Sequence, residues 1–212
     1  ATKFGDGPVF IAGDCAHVNS PSGGYGMNTG MGDAVDLGWK LAATLQGWGG
    51  SKLLDSYNAE RRPVSVRNVT EATRHLEKRT FQISEDVASE TTKGEAVRAQ
   101  LRQKFKSESK RRFNNFGIAL GYRYTASPIC IPDDDEAPSQ DIATFSPTSH
   151  PGCLAPHGWL ADGRSIIDLF GRGYILLKFG EEAPDTDTMI DAAALRDMPL
   201  EEIDIPDPDL CQ

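Results

Sequence analysis

The stretch Val9-Phe10-Ile11-Ala12-Gly13-Asp14-Cys15-Ala16-His17, followed three residues later by Pro21-Ser22-Gly23-Gly24-Tyr25-Gly26-Met27-Asn28-Thr29-Gly30-Met31-Gly32-Asp33-Ala34, decides the fold. Its opening is an apolar run, read as a buried strand over 8–13 that ends in Gly13-Asp14. A carboxylate at the carboxyl edge of a sheet stands where open α/β folds bind ligands, so Asp14 is placed to accept hydrogen bonds from a hydroxylated ligand. Five glycines in ten residues, at 23, 24, 26, 30 and 32, then run into an amphipathic helix. Glycine lets backbone N–H groups approach a ligand closely at the positive end of the helix dipole, which favours an electron-rich or anionic group. On glycine content alone, a strand–loop–helix turn whose glycines only satisfy tight geometry is equally compatible.

Outward from this stretch, a Gly-rich loop is expected over 20–32 and a helix over about 30–46. Ala34, Leu37, Gly38, Leu41, Ala42 and Leu45 recur at helical spacing and predict one continuous apolar stripe. Asp36 and Lys40 form an i,i+4 pair, worth about 0.2 to 0.5 kcal/mol on a helix surface. Gly47, Gly49 and Gly50 end the helix. A short helix carries Leu53, Leu54 and Tyr57, and Pro63 suits the first turn of a further helix reaching about residue 80, with Val66, Val69, Thr73 and Leu76 on one face. Residues 84–94 read as a loop, and 95–116 as a basic helix with a narrow stripe of Val97, Leu101 and Phe105. Residues 126–157, with six prolines and the acidic cluster Asp133 to Glu136, read as an irregular linker. A strand over Tyr174 to Phe179, a helix over 187–198, a strand over Leu200 to Ile205 and a Pro206-Asp207-Pro208 turn give a βαβ outline.

Composition bounds the function. The 212 residues carry a formal net charge of -9, yet residues 181–212 hold eleven acids against one base, Arg196, leaving 20 acids and 21 bases before them. The acidity belongs to the tail and weakens any reading of the whole chain as a nucleic-acid binder. No apolar run approaches the ~18 residues of a membrane-spanning helix. Cys15, Cys130, Cys153 and Cys211 are scattered without a C-x-x-C pair or metal-ligand spacing, so no metal site is expected and reduced, cytoplasmic thiols are. No secretory signal opens the chain. Both ends, at Ala1 and at Cys211-Gln212, suggest a piece of a longer protein.

The order G-D-C-A-H (13–17), P-S-G-G-Y-G-M-N-T-G (21–30), D-A-V-D-L-G-W-K-L-A (33–42) and Y-N-A-E-R-R-P-V (57–64) closely resembles the second flavin-binding segment of the FAD-dependent aromatic hydroxylases. This is the phenol hydroxylase and para-hydroxybenzoate hydroxylase superfamily of class A flavoprotein monooxygenases, and the resemblance covers residues 8–66. It implies a Rossmann-like FAD-binding fold in which Asp14, after Gly13, bonds the ribityl chain and Pro21 lies beside the isoalloxazine. Gly24 belongs to the same loop, and Gly26, Met27 and Asn28 present backbone groups to the pyrimidine edge of the ring. The physics agrees, because a helix N-terminus aimed at the negative charge of reduced flavin stabilises it as fixed donors do in an oxyanion hole. Ser20-Pro21-Ser22 stands where many relatives have Pro-Pro-Thr, Cys15 stands where Ala is common, and no G-x-G-x-x-G follows a strand. Residues 117–125 and 156–173 look like the phenol hydroxylase branch, where a thioredoxin-like domain without the redox dithiol follows the flavin domain.

The expected fold class is therefore α/β: part of a Rossmann-like FAD-binding domain with a helical segment over 1–125, a linker over 126–157, and an incomplete thioredoxin-like domain over 158–212. What the resemblance implies for the parent is an FAD-dependent oxidoreductase that takes electrons from NADH or NADPH and inserts one oxygen atom of O2 into a small aromatic, phenolic substrate. No catalytic base is assigned. The alternatives are a related FAD oxidoreductase on a non-aromatic substrate, or a non-catalytic structural or oligomerisation piece. A homodimer is left open, and no nucleic acid or membrane is expected as a partner. The rival reading of the basic helix, with eight bases against two acids over 93–112, is a polyanion-binding module. His17 reads as a structural histidine of the loop, Arg61-Arg62 as a salt-bridged helix junction, and Trp39 and Trp159 as core or domain-packing residues. His75, His150 and His157 show no partner spacing.

Overall fold

The computed structural model describes residues 1–79, 83–180 and 182–205. The Pro206-Asp207-Pro208 turn, Cys211 and the side chains of Lys110, Arg111 and Arg112 lie outside the described residues. The chain opens with a short antiparallel hairpin, β1 (Gly5–Asp6) and β2 (Val9–Phe10), paired Gly5 to Phe10 and Asp6 to Val9. Two long helices follow, α1 (Tyr25–Gln46) and α2 (Leu53–Arg79). After them come α3 (Thr92–Phe113) and the short α4 (Phe116–Leu120). Residues 126–157 contain no helix or strand. The chain then forms β3 (Tyr174–Phe179), α5 (Asp187–Ala194) and β4 (Leu200–Ile205), with β3 and β4 parallel from Tyr174↔Leu200 to Phe179↔Ile205. Parallel neighbours need a crossover, and α5 supplies it, as the βαβ outline predicts.

The expected buried strand over 8–13 is a correction. Only Val9–Phe10 is extended, it pairs with an antiparallel partner, and Val9 is exposed. The hairpin is held from outside: Phe4 N–H donates to Asn58 Oδ1 at 2.9 Å and Tyr57 Oη donates to the Ile11 carbonyl at 2.9 Å. Phe4, Ala16 and Tyr57 form a small apolar core there, with Phe10, Ile11 and Leu37 against it. A second core joins Tyr25, Ala72 and Ile118, with Ile142 of the irregular segment against them. The Ile118 N–H also donates to the Ile142 carbonyl at 3.2 Å, so the irregular segment packs back on α4.

The two long helices reverse the expected burial. In α1 the buried side chains are Tyr25, Thr29, Asp33, Asp36, Lys40 and Ala43, a mostly polar row at helical spacing. Of the predicted stripe, only Leu37 and Leu41 are half-buried; Ala34, Gly38, Ala42 and Leu45 are exposed, beside exposed Met27, Met31 and Val35. In α2, Glu60, Arg61, Ser65, Asn68, Glu71 and His75 are buried, whereas Val66 and Leu76 of the predicted apolar face are exposed. The helices meet through their polar sides because ion pairs and hydrogen bonds satisfy the groups so buried. Pro63 lies inside one continuous helix of 27 residues and does not start a second one.

Candidate functional site

The glycine-rich segment is not a loop through 32. The loop ends at Gly24, which adopts a left-handed conformation (φ 72°) open to glycine without strain, and α1 begins at Tyr25. Gly26, Met27 and Asn28 therefore lie in its first turn, where the N–H groups of Gly26 and Met27 have no intrahelical acceptor and that of Asn28 is the first to bond within the helix, to the Gly24 carbonyl. No side chain caps this end, and Met27 is 74% exposed. A helix of 22 residues thus presents unpaired donors at Gly26 and Met27, and the positive end of its dipole, at this terminus.

Gly13–Cys15 forms a single helical turn that lies against α1. The closeness of backbones is what Gly13 and Gly30 provide: a Cβ on Gly30 would lie 3.2 Å from the Gly13 Cα. Asp14 sits on this turn with its side chain exposed, and Pro21 is exposed on the neighbouring loop. The predicted residues Gly13, Asp14, Pro21, Gly24, Gly26, Met27 and Asn28 are accordingly carried by two segments around one helix terminus.

Asp33 joins these segments, and sequence reasoning did not single it out. Its carboxylate is fully buried and accepts from the Gly13 N–H at 3.1 Å, from His17 Nε2 at 2.6 Å and from Arg61 Nε at 2.8 Å. His17 Nδ1 lies 3.2 Å from the Asn19 side-chain amide, so the imidazole is held at both ring nitrogens. His17 is thus a histidine of the loop and Arg61 the ion-paired member of its pair, as the sequence suggests. Arg61 also donates to the Thr29 carbonyl at 3.1 Å and to Tyr124 Oη at 2.9 Å. Burial alone would lower the Arg61 pKa, but Tyr124 and Asp33 raise it above its ordinary value, and the guanidinium stays charged.

Two turns further along α1, Lys40 is completely buried between two carboxylates, Asp36 at 2.7 Å and Glu60 of α2. Ser127 Oγ donates to the other oxygen of Glu60. The Asp36–Lys40 pair is therefore an interior pair, not the surface pair expected from its spacing. Burial pushes the Asp36 carboxyl up to about 6 even though Lys40 pulls it down. His75, read as lacking a partner, lies 3.3 Å from both Glu71, four residues earlier, and the Tyr25 hydroxyl.

Two further features bear on a ligand at the helix terminus. The side-chain oxygens of Asn19 and Ser22 are buried without a hydrogen-bond partner, on the loop that carries Pro21. A cavity of about 440 Å³ adjoins the same glycines and is bounded by Gly23, Gly24, Asn28, Asn68, Ile118 and Tyr122. Among the described residues no group of His, Cys, Asp or Glu could hold a metal ion, and no helix is long and apolar enough to cross a membrane.

Comparison with known proteins gives this geometry a context. Residues 1–72 match the family model of the FAD binding domain. The FAD-dependent monooxygenase opdD of Penicillium oxalicum is 38% identical over 182 residues, 83% of this chain and 34% of the relative. A 4-methyl-5-nitrocatechol 5-monooxygenase of Burkholderia sp is 34% identical over 183 residues, 84% of this chain and 30% of that protein. The chain spans about a third of the length of these curated relatives. The rebeccamycin biosynthetic enzyme RebC, solved with reduced flavin, superposes with a TM-score of 0.84 at 40% identity over 98% of this chain and 39% of its own. In sequence over most of its length, and in fold over nearly all of it, the chain is similar to part of the FAD-dependent monooxygenases, and its first 72 residues carry their FAD binding domain model.

Proposed function

We propose that this chain supplies the flavin-ring and ribityl contacts of an FAD-dependent aromatic hydroxylase. The observation that carries the reading is the uncapped, outward-facing N-terminus of α1, with the Asp14 turn fixed to it through Asp33. The residues fit the cofactor. Asp14, carried by Gly13, has an exposed carboxylate that would accept from ribityl hydroxyls, and the exposed Pro21 would border the ring. The left-handed Gly24 opens the helix, and Gly26, Met27 and Asn28 would present backbone groups to the pyrimidine edge, with the Gly26 and Met27 N–H groups free to donate. The unpartnered Asn19 and Ser22 oxygens are acceptors or donors available to a polar ligand on the same loop. When bound, FAD supplies the redox chemistry that activates O2, with NADH or NADPH as reductant.

The chain's own part is to bind, orient and tune. Fixed N–H donors at a helix terminus stabilise negative charge on the ring without reorganising. The cavity bounded by Gly24, Asn28 and Tyr122 gives a small aromatic substrate a place beside the same loop. The relative that acts on a nitrocatechol supports that substrate class. We assign residues 1–125 to the FAD-binding domain, 126–157 to a linker and 158–212 to a thioredoxin-like unit, supported by the parallel β3–α5–β4 arrangement. The three described cysteines are free thiols, which supports a reducing, cytoplasmic compartment.

The experiment is Asp14→Ala in the full-length protein, with flavin absorbance read after gel filtration. A hydrogen bond to a charged group is worth about 1.5 to 3 kcal/mol, so FAD affinity should fall by roughly 10- to 100-fold. Flavin content equal to wild type at limiting FAD would refute the assignment.

A further inference from the structure

At the other end of α1, roughly 20 Å from the glycine loop by helix rise, three aromatic rings gather where α1 meets β3. Trp39 and Trp48 are nearly parallel, with centroids 6.4 Å apart and an interplanar angle of 16°. Tyr174, the first residue of β3, stands edge-on to both, at 6.0 Å and 86° to Trp39 and at 6.2 Å and 82° to Trp48. The three rings wall a cavity of about 620 Å³, with Ala42 and Gln46 of α1 on one side and Arg172 at the rim. That volume lies within the usual range for small-molecule sites, which are mostly apolar with a few placed polar groups.

We propose that this cavity is a second ligand site, for a planar aromatic molecule bearing an anionic oxygen, such as an aryl carboxylate. Both indoles are set in place: Trp48 Nε1 donates to Gln46 Oε1 at 2.9 Å, and Lys40 Nζ lies 5.5 Å from the centroid of Trp39. A planar ring gains from offset or edge-on contact with such walls. Three aromatic walls alone would equally suit a cationic ligand. The charge of Arg172 in the lining decides against one. Lys40 is neutralised by Asp36 and Glu60, whereas Arg172 forms no ion pair among the described residues. Arg172 is exposed, and its guanidinium is the free donor for a carboxylate at the mouth of the cavity.

This inference goes beyond the flavin reading and does not rest on it. The test therefore uses the 212-residue chain without flavin, titrated by calorimetry with 2-naphthoate and, separately, with its neutral isostere naphthalene-2-carboxamide. The expected result is saturable 1:1 binding of 2-naphthoate, weakened about tenfold in Arg172→Ala and about tenfold when the amide replaces the acid. Trp48→Ala should abolish binding, with the far-ultraviolet circular dichroism of each variant matching wild type. Arg172 is a surface residue, so its replacement reads the site even if Trp48→Ala disturbs the fold. Absence of saturable binding, or binding indifferent to Arg172→Ala, would overturn the proposal. So would equal affinity for acid and amide.

Discussion

Arg61 donates its Nε–H to Asp33 Oδ1 at 2.8 Å across 28 residues of sequence, and neither side chain is more than 2% exposed. The pair lies between α1 and α2, and the same carboxylate holds the Gly13 backbone. Removing one partner of a buried ion pair leaves the other charge unpaired in the interior, which costs about 3 to 5 kcal/mol. Arg61→Met and Asp33→Asn should each lower the urea midpoint accordingly. A loss under about 1 kcal/mol in both would show that the pair is not structural.

Gly32 and Gly38, six residues apart on α1, should respond to alanine with opposite signs. A Cβ on Gly32 would lie 2.7 Å from Arg61 Nη2, so Gly32→Ala displaces the guanidinium and should destabilise by about 1 to 3 kcal/mol. Nothing lies within 4 Å of a Cβ on Gly38. There the alanine removes only the helix penalty of glycine and should stabilise by up to about 1 kcal/mol. Thermal unfolding of the two variants decides it.

The Asp36 carboxyl gives a pH signature of definite sign. Its folded pKa, about 6, lies above the ordinary value of 3.8. The folded state therefore binds the proton more tightly, and stability from this group is present below pH 4 and lost as pH rises through 6. Asp36→Asn should remove that decline. The difference in unfolding free energy, variant minus wild type, should increase between pH 4 and pH 6.5, whereas a flat difference would refute it.

Gly26→Val should impair flavin binding in the full-length protein more than Asp14→Ala. A Cβ there already meets Asn19 Cβ at 3.4 Å, and the branched side chain adds bulk at the turn whose N–H groups face outward. Flavin retention after dialysis is the measurement, and retention above that of Asp14→Ala would count against close approach at this turn.

The outward stripe of Met27, Met31, Val35 and Leu45 should bind a hydrophobic dye on the chain as given. Val35→Lys with Leu45→Lys should cut the dye fluorescence at least in half without moving the melting temperature by more than a few degrees. Unchanged fluorescence would place the dye elsewhere.

Much of this architecture is legible in the residues. The end of α1, the βαβ unit and the segment carrying Asp14 and Gly26 follow from punctuation and the ordered motifs, whereas the helix expected to begin at Pro63 is the second part of one continuous α2. The hairpin does not, because two-residue strands leave no period-2 pattern to read. The start of α1 is misplaced by five residues because Gly26, Gly30 and Gly32 suggest a loop, whereas Gly30 and Gly32 serve close approach by Gly13 and Arg61. Burial is misread for a related reason: apolar periodicity identifies a stripe but not what covers it. Asp33, Asp36 and Lys40 share one face of α1, and the charged pair Glu60-Arg61 together with Asn68 shares one face of α2, which was the available signal. Asp33 escaped notice because a single acid inside a helix looks like a solvated one until its three donors are in place.

Lys40 touching Asp36 on its own helix and Glu60 on the next makes the α1–α2 seam a vernier. An oily seam could slide by a turn and lose little, since one aliphatic contact replaces another. Here a slip of one turn would strand Lys40 from Glu60 and Arg61 from Asp33 together, so only one alignment is tolerated. The glycine-led end of α1 inherits that alignment, which fixes how far the first turn projects beyond the Asp14 loop.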